Sequence, residues 1–296
     1  MSVGNELRAT GLDLPLPARG DTLGRWSALA ELGRRDLVLG RLAEGHADAV
    51  AILAEAGVSA TEGALYGVWA AKSEGTGAVL SGNRLSGTVR FCSGAHLLDR
   101  ALVAAGDLLV EVDLADPGVH RMPDTWQAIG MDASDSGDVL FENASATVIG
   151  EPGFYVSRPG FAHGGAGVAA VWLGGCAAIT DHIATYLRER DPDEHQLAHF
   201  GALHTALREA EAVLAEGAAA VDRGAGRLVT DTCRAAVERT AREVLDRAPR
   251  ITGPTPMCRD HRFAQQLADL LVYVRQHHAE RALATLGARV LEEGGR

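Results

Sequence analysis

The sequence predicts an α+β protein: a short N-terminal helical segment, a central antiparallel, barrel-like β domain, and a C-terminal four-helix bundle. Three observations point there. Apolar residues recur at helical spacing before Gly57, short β-type runs alternate with turn residues from Gly63 to Pro159, and long helical periodicity returns from Gly160 onward. The expected divisions are residues 1–62, 63–159 and 160–296.

In the first segment, Asp21 or Thr22 is placed to cap a helix running through Leu29, Leu32 and Leu37. A second helix, Arg41 to Glu55, spaces Leu42, Ala49, Ile52 and Leu53 along one face, and Gly57 closes it. The β region offers strands at Gly87–Cys92, Arg100–Ala105, Leu108–Val112 and Ala144–Ile149. Turn residues separate them at Ser81–Asn83, Gly106–Asp107, Asp116–Gly118 and Asp135–Asp138. The bundle helices are expected at Gly164–Glu189, Glu194–Val221, Leu228–Leu245 and Asp260–Leu286, with Pro249, Gly253 and Pro254 breaking the last two apart.

Composition narrows the function classes. A formal net charge of −11 repels phosphate backbones, so nucleic-acid binding is not expected. Aromatics make up only 5% while glycines number 35, a balance that lets helices approach closely. Cys92, Cys176, Cys233 and Cys258 form no C-x-x-C pair, which suits reduced thiols and a cytoplasmic protein. Met1–Pro17 lacks a basic start followed by an apolar core, so no secretory signal is expected. The apolar run Gly164–Ile179 carries further glycines and ends at Asp181-His182, which reads as a buried helix and not a membrane span.

The segment Leu85-Ser86-Gly87-Thr88-Val89-Arg90-Phe91-Cys92-Ser93-Gly94-Ala95 resembles one in the acyl-CoA dehydrogenase-like superfamily. There a strand leads to an aromatic residue, a Ser or Thr, and a small-residue turn. The resemblance implies that Phe91 walls a flavin ring and that the Ser93 hydroxyl reaches its reactive edge. The Ser-Gly-Ala turn is also similar to the flavin monooxygenase branch. Read alone, the segment is a strand entering a turn with Phe91 in the core. Tyr186-Leu187-Arg188-Glu189-Arg190 resembles the family's Y-x-x-x-R, which gives Arg190 to the phosphates of FAD across a subunit interface; by itself, such an arginine also complements a helix C-terminus. Cys258-Arg259-Asp260 resembles the R-D pair that opens the family's last long helix.

Three departures from the family pattern follow. The T-E-P-x-x-G-S-D stretch is replaced by Tyr66–Lys72, where Trp69 is a candidate to stack on a ring or to fill the core. The glycine-rich phosphate turn is replaced by Arg247–Pro254, where Arg250, Thr252 and Gly253 are candidates for anion contacts. Family dehydrogenases need a carboxylate base; Ala268 stands at one usual place for it, and Asp269 follows, either as the base or as a polar residue on an exposed helix face. His195 and His199 share a helix face, with His204 a little further on, but no partner carboxylate is evident, and Arg275–Glu280 reads as a solvated turn or a partner contact.

The resemblance implies a flavoprotein oxidoreductase with FAD as cofactor and an acyl-CoA or related small molecule as substrate. It also implies a homodimer or homotetramer. The alternatives are a flavin-dependent monooxygenase and a degenerate member serving as a binding or assembly subunit.

Overall fold

In the computed structural model, residues 3–10, 12–71 and 75–293 are described; Lys72, the end of the Tyr66–Lys72 stretch, lies outside them. The chain divides into two compact units. One comprises Met1–Asp13, Arg41–Ala128 and Asp132–Phe161, the other Leu14–Gly40, Ile129–Met131 and Ala162–Arg296. The expected divisions after residues 62 and 159 both fall inside the first unit.

The first unit is built on a curled sheet of seven strands among the described residues: β1 (Tyr66–Trp69), β2 (Gly77–Ser81), β3 (Arg84–Val89), β4 (Arg100–Ala105), β5 (Leu108–Asp113), β6 (Val119–Arg121) and β7 (Val139–Ile149). Their order is β1-β4-β5-β7-β3-β2, with β6 also on β7. Pairing is antiparallel except between β1 and β4, which run parallel, so the expectation of a wholly antiparallel domain is corrected at that edge. The long β7 joins both halves of the sheet, pairing with β3 through Val139–Phe141 and with β5 through Ala146–Ile149. A register shift lies between Leu85 and Gly87, where Gly87 has φ +123° and a Cβ would sit 2.3 Å from the Gly77 carbonyl oxygen. Only glycine suits that bulge.

Helix α1 (Val3–Ala9), not anticipated from the sequence, is held here by Arg8, which forks onto Asp99 at 2.8 and 3.0 Å. Helix α2 spans Thr22–Arg35 and α3 Leu37–Glu55. The α3 residues Ala49, Ile52 and Leu53 pack with Tyr66, Leu102, Leu109 and Ile149 into one buried cluster. Each large aliphatic side chain there contributes about 2 kcal/mol of burial. Leu37 opens α3 and does not extend α2, because Asp36 is extended (φ −163°) and its carboxylate accepts from the Leu39 N–H. After the sheet come the short helix α4 (Phe154–Ser157) and then α5 (Gly160–Arg188).

The second unit contains α2, most of α5, α6 (Glu194–Asp222), α7 (Arg227–Thr252), α8 (Pro254–Arg259), α9 (His261–Tyr273) and α10 (Ala279–Glu293). Small residues bring α2 and α5 together: a Cβ on Gly174 would lie 1.9 Å from the Ala30 carbonyl oxygen. By length and composition α5 is apolar enough to cross a membrane, yet 72% of its most apolar stretch is buried inside the protein. The carboxylate of Asp222 ties the start of α2 to the end of α6 by accepting from Gly20 N, Thr22 N and Thr22 Oγ1. Asp193 begins α6 with a reciprocal capping box to Gln196.

Two bundle helices differ from expectation. Helix α7 passes through Pro249 and ends one turn later, at Gly253. The expected single helix from Asp260 to Leu286 is broken: α9 tightens into a 3-10 turn at Val274–His277, and the chain turns at His278 and at Ala279, the first residue of α10, both with positive φ.

Candidate functional site

In the first unit the chain leaves β3 at Val89, short of the expected strand end at Cys92. Phe91 marks the early end: its φ is +59°, outside the β region that a regular strand keeps. For a bulky L-residue that conformation costs about 1–2 kcal/mol. The ring is 55% exposed, so the expectation of a core Phe91 is overturned. Neighbouring backbone holds the turn in place. The N–H groups of Cys92, Gly94 and Ala95 donate to the carbonyls of Gly137, Ser134 and Asp135 at 2.8, 2.8 and 3.2 Å.

Ser93 lies beneath this turn, 8% exposed. Its carbonyl accepts the indole N–H of Trp69 at 3.1 Å. Its hydroxyl is 2.8 Å from the Ser136 hydroxyl, which in turn is 2.8 Å from that of Ser134. Trp69 itself is only 2% exposed, so it serves as a buried brace and offers no face for stacking. Burial pushes the adjacent Cys92 thiol far up, which keeps it protonated and unreactive. The structure thus joins three of the sequence candidates, Trp69, Phe91 and Ser93, and adds Ser134 and Ser136. Their serine-rich loop carries no motif, and only its pairing with the turn after β3 exposes the link.

In the second unit a cleft of about 600 Å³ is lined by Arg34, His182, Tyr186, Arg190, Arg259, Arg262 and neighbours. The Arg190 guanidinium lies 3.7 Å from the centre of the Tyr186 ring and donates to the Tyr186 carbonyl at 2.8 Å. The Tyr186 hydroxyl donates to the Thr252 carbonyl at 3.1 Å, tying α5 to the end of α7. Arg34 pairs with Asp181 at 2.6 Å, and His182 faces Asp260 at 3.3 Å. Asp260 also caps α9 by accepting from Phe263 N. Arg259 and Arg262 have no ion pair or hydrogen-bonding partner among the described residues. Two uncommitted guanidiniums in a cleft fit an anion such as a phosphate. Arg262 was not singled out from the sequence, since one arginine past the R-D pair has no distinguishing pattern.

The remaining candidates are committed to their own helix. Arg250 pairs with Asp246 at 2.8 Å, and the Thr252 hydroxyl donates to the Ala248 carbonyl at 3.1 Å. Gly253 supplies φ +65° at the end of α7, and its N–H donates to the Pro249 carbonyl. Asp269 is buried, which corrects the reading of an exposed helix face. Its Oδ1 accepts from Met131 N at 2.5 Å and from Gln265 Nε2 at 2.8 Å. The Ile129–Met131 segment approaches α9 so closely that a Cβ on Gly130 would sit 2.0 Å from the Ala268 carbonyl oxygen. The His199 ring faces Arg247 at 2.9 Å, and no group of three metal-type side chains converges among the described residues. His277, read from sequence as part of a solvated turn, is buried against Trp172.

Comparison with known proteins places these features in context. Residues 151–274 match the family described as acyl-CoA dehydrogenase, C-terminal domain. No curated protein matches the chain in sequence. Among solved structures, the TdsC complex with FMN and indole from Paenibacillus sp. A11-2 superposes with a TM-score of 0.79 at 18% identity, covering 98% of this chain and 95% of that one. Methanesulfinate monooxygenase MsuC from Pseudomonas fluorescens gives 0.79 at 20% identity, covering 98% and 89%. A chain of the electron transferring flavoprotein structure of Acidaminococcus fermentans gives 0.84 at 17% identity, covering 98% and 88%. At these identities the likeness is one of fold.

Proposed function

The chain has the acyl-CoA dehydrogenase-like fold, and on that premise we propose that it is a flavin-dependent oxidoreductase. The observation that carries this reading is Phe91: a solvent-facing aromatic residue held at φ +59°, two residues before a buried serine. Strain at a displayed side chain is maintained where the surroundings impose it and function uses it. The Phe91 ring would lie against the flavin and the Ser93 hydroxyl would hydrogen-bond its edge. In the second unit, taken by itself, the cleft lined by Arg190, Arg259 and Arg262 would hold phosphate oxygens, Arg190 by the family resemblance acting on the flavin of a second copy. Bound flavin would supply two-electron redox chemistry to a small-molecule substrate.

Asp269 favours a monooxygenase over an acyl-CoA dehydrogenase. A dehydrogenase base must reach a substrate proton with an available carboxylate oxygen. Here the carboxylate is buried, and its Oδ1 accepts two hydrogen bonds, one from a backbone N–H, which fix it inside the unit. Oxygen chemistry at reduced flavin needs no such base. TdsC, described as a dibenzothiophene monooxygenase, and MsuC share the fold.

The test starts from purified protein incubated with excess FAD or FMN and then desalted. Retention of about one flavin per chain supports the reading, and a colourless protein sinks it in favour of a binding or assembly subunit. Anaerobic bleaching by acyl-CoA thioesters would then identify a dehydrogenase. Oxygen-dependent conversion of an aromatic heterocycle such as indole, with reduced flavin supplied, would identify a monooxygenase.

A further inference from the structure

We propose that Ser136, backed by Ser134, is a positioning residue that sets the hydroxyl of Ser93 as a hydrogen-bond donor toward the flavin edge. The proposal rests on the flavin reading above. Three hydroxyls are linked in series, Ser134 to Ser136 to Ser93, at 2.8 Å per step. All three residues are buried, at 1%, 6% and 8% exposure. Each hydroxyl carries a single proton and can accept through two lone pairs. Ser136 stands in both bonds, so it donates in at most one of them. If it donates to Ser93, the Ser93 proton remains for a ligand. If it receives from Ser93, that proton is turned inward and Ser93 can only accept.

A ring nitrogen or carbonyl at the flavin edge with a lone pair to offer requires the first arrangement. The backbone is built to hold it. Gly94 N donates to the Ser134 carbonyl at 2.8 Å, Cys92 N to the Gly137 carbonyl at 2.8 Å, and Trp69 Nε1 fixes the Ser93 carbonyl at 3.1 Å. Those bonds bracket Ser93 on one side and Ser136 on the other, which leaves the hydroxyl protons as the free variable. A chain of hydroxyls in a water-poor interior also polarises each member, strengthening the outward bond.

The test compares Ser93→Ala, Ser136→Ala, Ser136→Thr and the double variant Ser93→Ala/Ser136→Ala, each loaded with the flavin that the wild type retains. Three readouts are taken: melting temperature, flavin dissociation constant and the position of the flavin absorbance bands. Ser136→Ala is expected to weaken flavin binding by about fivefold, the scale of one net hydrogen bond, and to move the bands in the same direction as Ser93→Ala. Ser136→Thr, which keeps a hydroxyl, is expected to restore both. The double variant is expected to go no further than Ser93→Ala. Bands left in place by Ser136→Ala while Ser93→Ala moves them would overturn the positioning role and leave the flavin reading standing. Should Ser136→Ala lose its fold, Ser134→Ala carries the same decision: shifted bands support the chain of hydroxyls, unshifted bands overturn it. A wild type that retains neither FAD nor FMN overturns the flavin reading and this role with it.

Discussion

The indole N–H of Trp69 donates to the carbonyl oxygen of Ser93 across 3.1 Å, joining β1 to the turn that displays Phe91. Both residues are buried, so water cannot replace the bond. Trp69→Phe keeps an aromatic ring but strands the Ser93 carbonyl and leaves a small void. We expect a loss of about 2–4 kcal/mol, combining the unmet acceptor with the cavity. Urea unfolding followed by circular dichroism measures it. A loss near zero would mean that the turn holds itself without the brace.

Phe91 gives a prediction in which stability and function move oppositely. Glycine adopts φ near +59° without the steric penalty a side chain meets, and the Phe91 ring buries little surface. Phe91→Gly should leave the protein as stable as the wild type or up to about 1 kcal/mol more so. Flavin retention should nevertheless fall, by about tenfold for the loss of an aromatic contact. Thermal unfolding and flavin titration on the same sample separate the two effects. A marked loss of stability would return Phe91 to a packing role.

Two glycines make a matched pair. Gly174 in α5 has the Ala30 carbonyl oxygen 1.9 Å from where a Cβ would stand, and that atom is backbone. Gly174→Ala must push α2 and α5 apart, and should cost about 3 kcal/mol or prevent folding. Gly201 in α6 has nothing within 4 Å of its virtual Cβ. Gly201→Ala should stabilise by about 0.5–1 kcal/mol through helix propensity alone. Calorimetric melting of both variants tests the sign of each.

Arg259 and Arg262 allow the flavin form to be read from binding. If the cleft they line holds the second phosphate and adenosine of FAD, Arg259→Ala with Arg262→Ala should weaken FAD by about tenfold or more and spare FMN. Equal weakening of both flavins would instead place these arginines on the phosphate common to the two. No change in either would remove the cleft from cofactor binding.

Much of this architecture was legible because it rests on local chemistry. Asp21 caps α2 by accepting from Gly24 N, Gly57 has φ +72°, and β4 spans Arg100–Ala105, all as their residue types require. What the sequence concealed depends on distant partners. The strand after Gly87 stops at Val89 because loop 132–138 pairs with the turn beyond it, and the nearest following glycine, Gly94, stands too far on to announce this. The corner at His278 and Ala279 is likewise made by non-glycine residues in an unfavoured conformation. The burial of Asp269 does not show in the sequence because its partner Met131 lies 138 residues earlier in the chain. The candidate site divides in the same way: Phe91 and Ser93 stand in a segment with a family resemblance, while Ser134, Ser136 and Arg262 enter it only through what they face.

His277 supplies the last prediction, on acid stability. Its ring is 4% exposed, stands edge-on to Trp172 of α5, and its Nδ1 has no hydrogen-bonding partner among the described residues. Burial, with the charges of Arg234 and Arg242 on α7 and of His278 beside it, lowers its pKa to about 4; Asp231 opposes them weakly. In the unfolded chain the same imidazole titrates near 6.5. A folded pKa below the unfolded one means that the unfolded state takes up the proton first. Stability from this group is therefore complete above about pH 6.5 and is lost as the pH falls toward about 4, by up to about 3 kcal/mol. His277→Gln removes the titration, so its stability should change less between pH 7 and pH 4.5 than that of the wild type. Denaturant unfolding at a series of pH values gives both slopes. Parallel curves for the two proteins would show that the acid sensitivity arises from other groups.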